Sequence, residues 1–132
     1  MGRQSISTAA ICAALDQVGL LSEIRALPAG IATVLSHTGS PLSTGQLRLL
    51  MVARALVGNP RVLILDCILD EVDDLARARL YAQLTRPDSG MVVLILTRRS
   101  DTEVEANGRI ELTTHGRPCL VKTEELFGSS TH

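Results

Sequence analysis

Aromatic side chains are almost missing from this chain: Tyr81 and Phe127 are the only two, and there is no Trp. Base stacking and membrane-interface belts both depend on such rings, so single-strand nucleic-acid binding and an interfacial girdle are not expected. A charge excess of one sign is missing too, since 13 Lys and Arg against 14 Asp and Glu leave a formal net charge of -1. That balance argues against a polyanion-binding surface spread over the whole molecule, while leaving room for local phosphate contacts. Cys12, Cys67 and Cys119 are odd in number and too far apart for a CxxC motif, which reads as reduced thiols in the cytoplasm. No apolar run reaches the ~18 residues of a membrane span. The opening "MGRQSISTAA" lacks the basic-then-apolar order of a signal peptide, and Gly2 has no Ser or Thr at myristoylation spacing. Any association with a membrane is therefore expected to run through a partner.

What is present suits one domain of ordinary size: 132 residues, of which 45% are hydrophobic. Ala10, Ile11, Ala14, Leu15 and Val18 recur at helical spacing, with Ser7 or Thr8 as a cap and Gly19 as a stop. A second short helix is expected over Leu20 to Ala26, ended by Pro28 and Gly30. Ile31 to Pro41 reads as a loop, with at most a short extended piece at Thr33 to Leu35. A third helix starts at Ser43 or Thr44, carries an apolar stripe of Leu47, Leu50, Met51, Ala55 and Val57, and stops at Gly58-Asn59-Pro60.

"RVLILD" (Arg61 to Asp66) and "MVVLILT" (Met91 to Thr97) are continuous apolar runs, the pattern of parallel strands buried on both faces. Asp73 to Leu84 between them reads as a helix, which gives a βαβ unit with a right-handed crossover. Gly108 to Leu112 and Pro118 to Val121 suggest a short hairpin, and Thr123 to Phe127 a last helical turn. The fold class expected is α/β: a helical subdomain, a parallel-sheet βαβ unit and a short C-terminal hairpin.

Two features carry chemistry. An apolar strand ending in Asp66 puts a carboxylate at the carboxyl edge of a parallel sheet, where ligands of open α/β folds collect. "LSTGQ" (Leu42 to Gln46) puts Ser43, Thr44 and Gly45 at the start of a helix, where hydroxyls, free N–H groups and the helix dipole suit a phosphate. Each alone is also an ordinary strand end or an ordinary N-cap. Asp66, Asp70, Asp73 and Asp74 lack the Gly and terminal Glu of a calcium loop, so no independent metal site is expected.

Taken together, the order "LSTGQ", then "ARAL" (Ala53 to Leu56), then "NP", then "VLILD" resembles the ATP-binding domain of ABC transporters. "LPAGIAT" (Leu27 to Thr33) resembles the segment before the signature in exporter-type members, and "GRIELTTHG" resembles a segment near their C-terminus. The resemblance covers the C-terminal half to two-thirds of such a domain and implies a partial P-loop NTPase fold. It divides the chain into a helical subdomain with the signature motif at 1-58 and the C-terminal part of the α/β ATPase core at 59-132.

These 132 residues contain no G-x-x-x-x-G-K-[ST], so they offer no Walker A cradle, phosphate lysine or magnesium-binding hydroxyl. The resemblance implies that Ser43, Thr44, Gly45 and Gln46 face an ATP held by another domain. It makes Asp66 a carboxylate that reaches Mg²⁺ through water in a complete site, and Asp73 the D-loop aspartate that links two sites of a dimer. Aligned with "LILDEPTSALD", "LILDCILDEVD" puts Cys67 where the family has the catalytic glutamate, and a largely neutral thiol is a poor base toward water.

Arg98 falls at the switch histidine, where it can donate to phosphate but cannot relay a proton. Ile68 and Leu69 replace Pro-Thr/Ser, and His37 stands at an acidic position of the exporter pattern. The expectation is a degenerate hydrolytic half-site with no ATPase activity from the chain alone. ATP and Mg would be shared ligands of a dimer with a second ATP-binding domain, coupled to transmembrane domains.

Two other classes stay open. One is a non-catalytic regulatory or interaction module on the same truncated fold, forming a homo-oligomer through an exposed sheet edge. The other is a DNA-repair or chromosome-structural ATPase, which the "LPxGxxT" match and the lack of heptad arms disfavour.

Overall fold

The computed structural model describes residues 5–99, 106–111 and 119–122. The expected last helical turn at Thr123 to Phe127 lies outside them, as do Leu112 and Pro118 of the hairpin.

Helix α1 (Thr8–Gln17) starts where Ser7 Oγ accepts the N–H of Ala10 at 3.1 Å. It stops at Gly19, whose φ of +72° is left-handed and lets Leu20 N–H reach back to the Leu15 carbonyl at 2.8 Å. The short α2 (Leu21–Ala26) follows and ends before Pro28, and a 3-10 turn at Gly30–Ala32 sits inside the stretch read as loop. Helix α3 (Thr44–Leu56) ends with Asn59, rather than Gly58, in the left-handed conformation at φ +47°. Asn tolerates that region because its short polar side chain bonds locally.

The buried face of α3 departs from the sequence expectation. Leu49, Val52, Ala53 and Leu56 enter the core, while Met51 of the expected stripe is 48% exposed and Ala55 faces out. Apolar residues surround this helix nearly all the way round, so periodicity cannot single out one face and tertiary packing decides.

Strands β1 (Val62–Asp66) and β2 (Val92–Leu96) pair in parallel, in register from Val62 with Val92 to Asp66 with Leu96. Helix α4 (Asp74–Leu84) is the crossover between them. Leu63 and Leu65 point into a core shared with Leu15 and Val18 near α1, Leu49 and Val52 of α3, and Leu80, Tyr81 and Leu84 of α4. The other face is open: Val62, Ile64, Val92, Leu94 and Leu96 are between 40% and 64% exposed. Burial on both faces, expected from the continuous apolar runs, is thus corrected to burial on one, because the helices that meet the sheet among the described residues share a single core. Strands β3 (Gly108–Glu111) and β4 (Cys119–Lys122) form a separate antiparallel pair.

Candidate functional site: the helix α3 terminus and the turn after strand β1

Four N–H groups at a helix start have no intrahelical acceptor, and α3 satisfies two of them itself. Gln46 N–H donates to Ser43 Oγ at 3.2 Å, and Ser43 N–H donates to Gln46 Oε1 at 2.9 Å, a reciprocal capping box. The N–H groups of Thr44 and Gly45 are the two that the box leaves over, and Ser43 and Thr44 are both exposed. Of the residues named from "LSTGQ", Gln46 is therefore occupied as a cap. Thr44 and Gly45 present the open donors, and Ser43 keeps a hydroxyl hydrogen to give.

This terminus abuts the turn that follows β1. A side chain built on Gly45 would stand 3.5 Å from the Glu71 carbonyl oxygen and 3.9 Å from Val72 Cα, so helix and turn are in contact. One helical turn further on, Arg48 Nε donates to Glu71 Oε2 at 2.7 Å. The hydrogen bond and charge of Glu71 raise the Arg48 guanidinium above its ordinary value.

The turn itself runs from Cys67 to Asp73. Cys67 N–H continues the sheet ladder to the Leu96 carbonyl at 2.9 Å, after which Cys67 takes a left-handed φ of +51°, unusual for a residue with a side chain. Leu69 and Val72 are 2% and 3% exposed and anchor the turn in the core. Leu69, at a position where the family pattern is polar, thus packs as a core residue. Asp73 Oδ1 accepts the N–H of Ala76 at 2.9 Å and caps α4. Arg77, buried at 7% exposure, spends its guanidinium on the Val72 carbonyl at 3.1 Å and on Asp74 Oδ1 at 2.7 Å.

At the far side, Thr97 Oγ1 donates to Asp70 Oδ1 at 2.6 Å and Arg98 N–H donates to Asp70 Oδ2 at 3.3 Å. Arg99 N–H donates to Thr97 Oγ1 at 3.1 Å, and the Arg99 guanidinium lies 3.5 Å from Asp74 Oδ1. Desolvation opposes ionisation of Asp70, yet the Thr97 hydroxyl, the Arg98 N–H and the charges of Arg98 and Arg99 outweigh it. The net effect holds the carboxyl below the usual carboxylate value. Sequence reasoning did not single out Asp70 as anything more than one acid of four, because its partners lie 27 and 28 residues away.

Asp66 is exposed at the end of β1, and Cys67 beside it is partly buried. Desolvation raises the Cys67 thiol, helped by its hydrogen bond to Asp66 and by the charge of Asp70, so it stays protonated at neutral pH. Arg98 is 85% exposed, with Nε 3.9 Å from Asp70, and its hydrogen-bond and ion-pair partner here is Asp70, not Asp66 or Cys67. Among the described residues no three His, Cys, Asp or Glu side chains gather to hold a metal ion. The α3 terminus, with two unpaired donors and a hydroxyl, fits one side of a phosphate group. His37 is exposed in the loop before α3.

A parallel βαβ unit with a carboxylate at its carboxyl edge, joined to a helix that opens on unpaired N–H groups, is an α/β arrangement of the kind that collects ligands at its strand ends. No protein-family model matches the chain. It is 33% identical over 120 residues to a multidrug resistance-like ATP-binding protein, MdlB, of Buchnera aphidicola, covering 85% of this chain and 21% of that protein. It is 35% identical over 106 residues to a mitochondrial potassium channel ATP-binding subunit of Xenopus tropicalis, covering 80% of this chain and 15% of that one. Among solved structures, a bacterial Atm1-family ABC exporter with ATP bound matches at a TM-score of 0.67 and 26% identity, over 74% of this chain and 17% of that one. The chain is thus similar, over most of its own length, to the ATP-binding part of ABC transporter proteins, and it spans about a fifth or less of the length of these relatives.

Proposed function

We propose that the chain is part of an exporter-type nucleotide-binding domain and supplies the signature end of α3 to an ATP held by the Walker A loop of a second such domain. The observation that carries this reading is the pair of unpaired N–H groups on Thr44 and Gly45, set at a capped helix start beside the exposed Ser43 hydroxyl. A γ-phosphate docked there would meet two donors, a hydroxyl and the positive end of the helix dipole at once. Helix α3 is thereby ready for the anion without rearrangement.

On the same reading, Asp73 communicates with the second site. Asp66 contributes to Mg²⁺ through water only where the rest of a site is brought to it. Cys67 and Arg98 occupy the positions of the general base and the switch, and that half-site does not turn over. A neutral thiol is a poor base toward water, and the Arg98 guanidinium, 85% exposed, can donate to a phosphate but cannot accept a proton. The helical subdomain is 1-58 and the α/β core part 59-132. The partners are a second ATP-binding domain and transmembrane domains, which hold the chain at the cytoplasmic side of a membrane. No helix among the described residues is long and apolar enough to cross one. Nucleic acid is not among the partners.

The test is calorimetry of ATP and Mg²⁺ with the isolated chain, followed by turnover assays with an ABC domain that carries G-x-x-x-x-G-K-[ST]. Weak or no binding alone, with turnover of the added domain stimulated by the chain and lost on Ser43→Ala with Gly45→Pro, is the expected result. Tight binding with turnover by the chain alone overturns the degenerate half-site.

A second reading, an interaction module, is favoured by the open apolar face of β1 and β2. There the chain associates through its sheet, without nucleotide chemistry.

A further inference from the structure

Two neighbouring carboxylates in the turn after β1 point opposite ways, and each ends on a different part of the molecule. Asp70 reaches the end of β2, taking the Thr97 hydroxyl and the Arg98 N–H. Glu71 reaches α3, taking Arg48 Nε at 2.7 Å beside the point where Gly45 meets the turn backbone. Gly45 and Arg48 are three residues apart and so share the helix face that meets the turn. We propose that Asp70 and Glu71 are positioning residues that clamp this turn at two points, so that the α3 terminus, Asp73 and the Arg98 strand end meet a partner domain as one rigid face. The proposal rests on the signature-donor reading for its functional consequence, though not for the clamp itself.

The turn is a sound place for such a device. It is held from below by buried Leu69 and Val72, and from the side by the buried Arg77, which binds the Val72 carbonyl. The start of the turn is tied to β2 by the Cys67 N–H bond to the Leu96 carbonyl, and Asp70 and Glu71 add a side-chain link on each side, one to the residues after β2 and one to α3. Asp70, with a side chain 15% exposed and two donors within hydrogen-bond distance, is the stronger of the two anchors. The Arg48–Glu71 pair, 36% and 51% exposed, is weakened by water and salt and acts as an adjustable one.

Hydrogen–deuterium exchange on the full chain tests the clamp directly. Glu71→Gln is expected to speed exchange by about two- to fivefold, the scale of a surface ion pair. The effect should fall on Gln46 and Leu47 in α3 and on Val72 in the turn. The reversed pair Arg48→Glu with Glu71→Arg is expected to restore the slow rates. Asp70→Ala is expected to speed exchange at Cys67 and Val72 by about five- to tenfold, the scale of lost hydrogen bonds. Amides of α1 should be unmoved by either.

Acceleration confined to the substituted residue, or equal acceleration everywhere, overturns the clamp. The second arm adds an ABC domain with a Walker A loop, ATP and Mg²⁺. Stimulation should fall severalfold in Glu71→Gln and return in the reversed pair. If the unaltered chain gives no stimulation, the signature-donor reading fails, while the exchange rates still decide the clamp. Unchanged stimulation in Glu71→Gln removes the clamp from function even where exchange responds.

Discussion

At the scale of single residues, the chain's ionisable groups divide between those whose role follows from sequence and those whose role needs the fold. That a thiol at position 67 makes a poor base follows from the chemistry of cysteine alone. The fold adds that desolvation, Asp66 and Asp70 all push the same thiol upward, away from the thiolate. Asp70 is the opposite case, since nothing local to it announces Thr97 or Arg98. Its folded carboxyl lies below the ordinary value of about 3.9. The stability it contributes is therefore present in full above that ordinary value and disappears as pH falls through the lower folded one. Asp70→Asn is expected to lower Tm at pH 7, and that deficit is expected to shrink as pH falls below the ordinary carboxylate value and on through the lower folded one. Thermal melts across pH check this, and a deficit that does not shrink with acid argues that the carboxylate charge is not what holds Thr97 and Arg98.

Among the elements, starts and stops were the most legible feature. Ser7 and Ser43 each cap the helix that sequence placed after them, Asp73, read as the first residue of its helix, is instead the cap of α4, and Gly19 stops α1 as its lack of a side chain allows. The strands fall within a residue of their apolar runs because Asp66 and Gly90 bound them. Which face of α3 is buried was not legible, since Leu47 through Val57 is apolar on most sides and packing against α1 and β1 chooses Leu49, Val52 and Leu56. The contact of that helix with the turn was equally hidden, because Arg48 and Glu71 lie 23 residues apart. Ser43→Ala should destabilise the fold by about 1 kcal/mol through loss of half the capping box. Chemical denaturation measures it, and an effect near zero shows that water replaces the cap at no cost. Either result bears on how firmly the Thr44 and Gly45 donors are aimed.

For the molecule as a whole, the open face of the β1–β2 sheet is the largest departure from the sequence expectation. A run such as "VVLIL" reads as buried on both sides, yet burial belongs to the layers around a strand and cannot be written in the strand itself. Five exposed aliphatic side chains on a two-stranded sheet form a patch that water disfavours. This chain alone is expected to self-associate with rising concentration. Ile64→Thr with Leu94→Thr keeps the β-branched or strand-compatible shape while adding hydroxyls, and should shift the population toward monomer with little change in Tm. Sedimentation velocity over a concentration series reads the outcome, and a monomer at every concentration in the unaltered chain rules out the exposed face as a sticky one. The coarse architecture was therefore visible in the residues, while what lies against each surface was not.

The parallel pairing of β1 with β2 also sets an order in time. Parallel strands cannot meet until the chain has run out through α4 and come back, so their pairing waits on a long loop closure. The hydrogen bond between Asp70 and Thr97 spans 27 residues and can form only after that return. Helix α3, by contrast, closes its capping box from residues three apart as soon as it is made. During synthesis the capped start of α3 is thus shaped early, and the Asp70 contacts of the neighbouring turn are finished only when residue 98 has emerged.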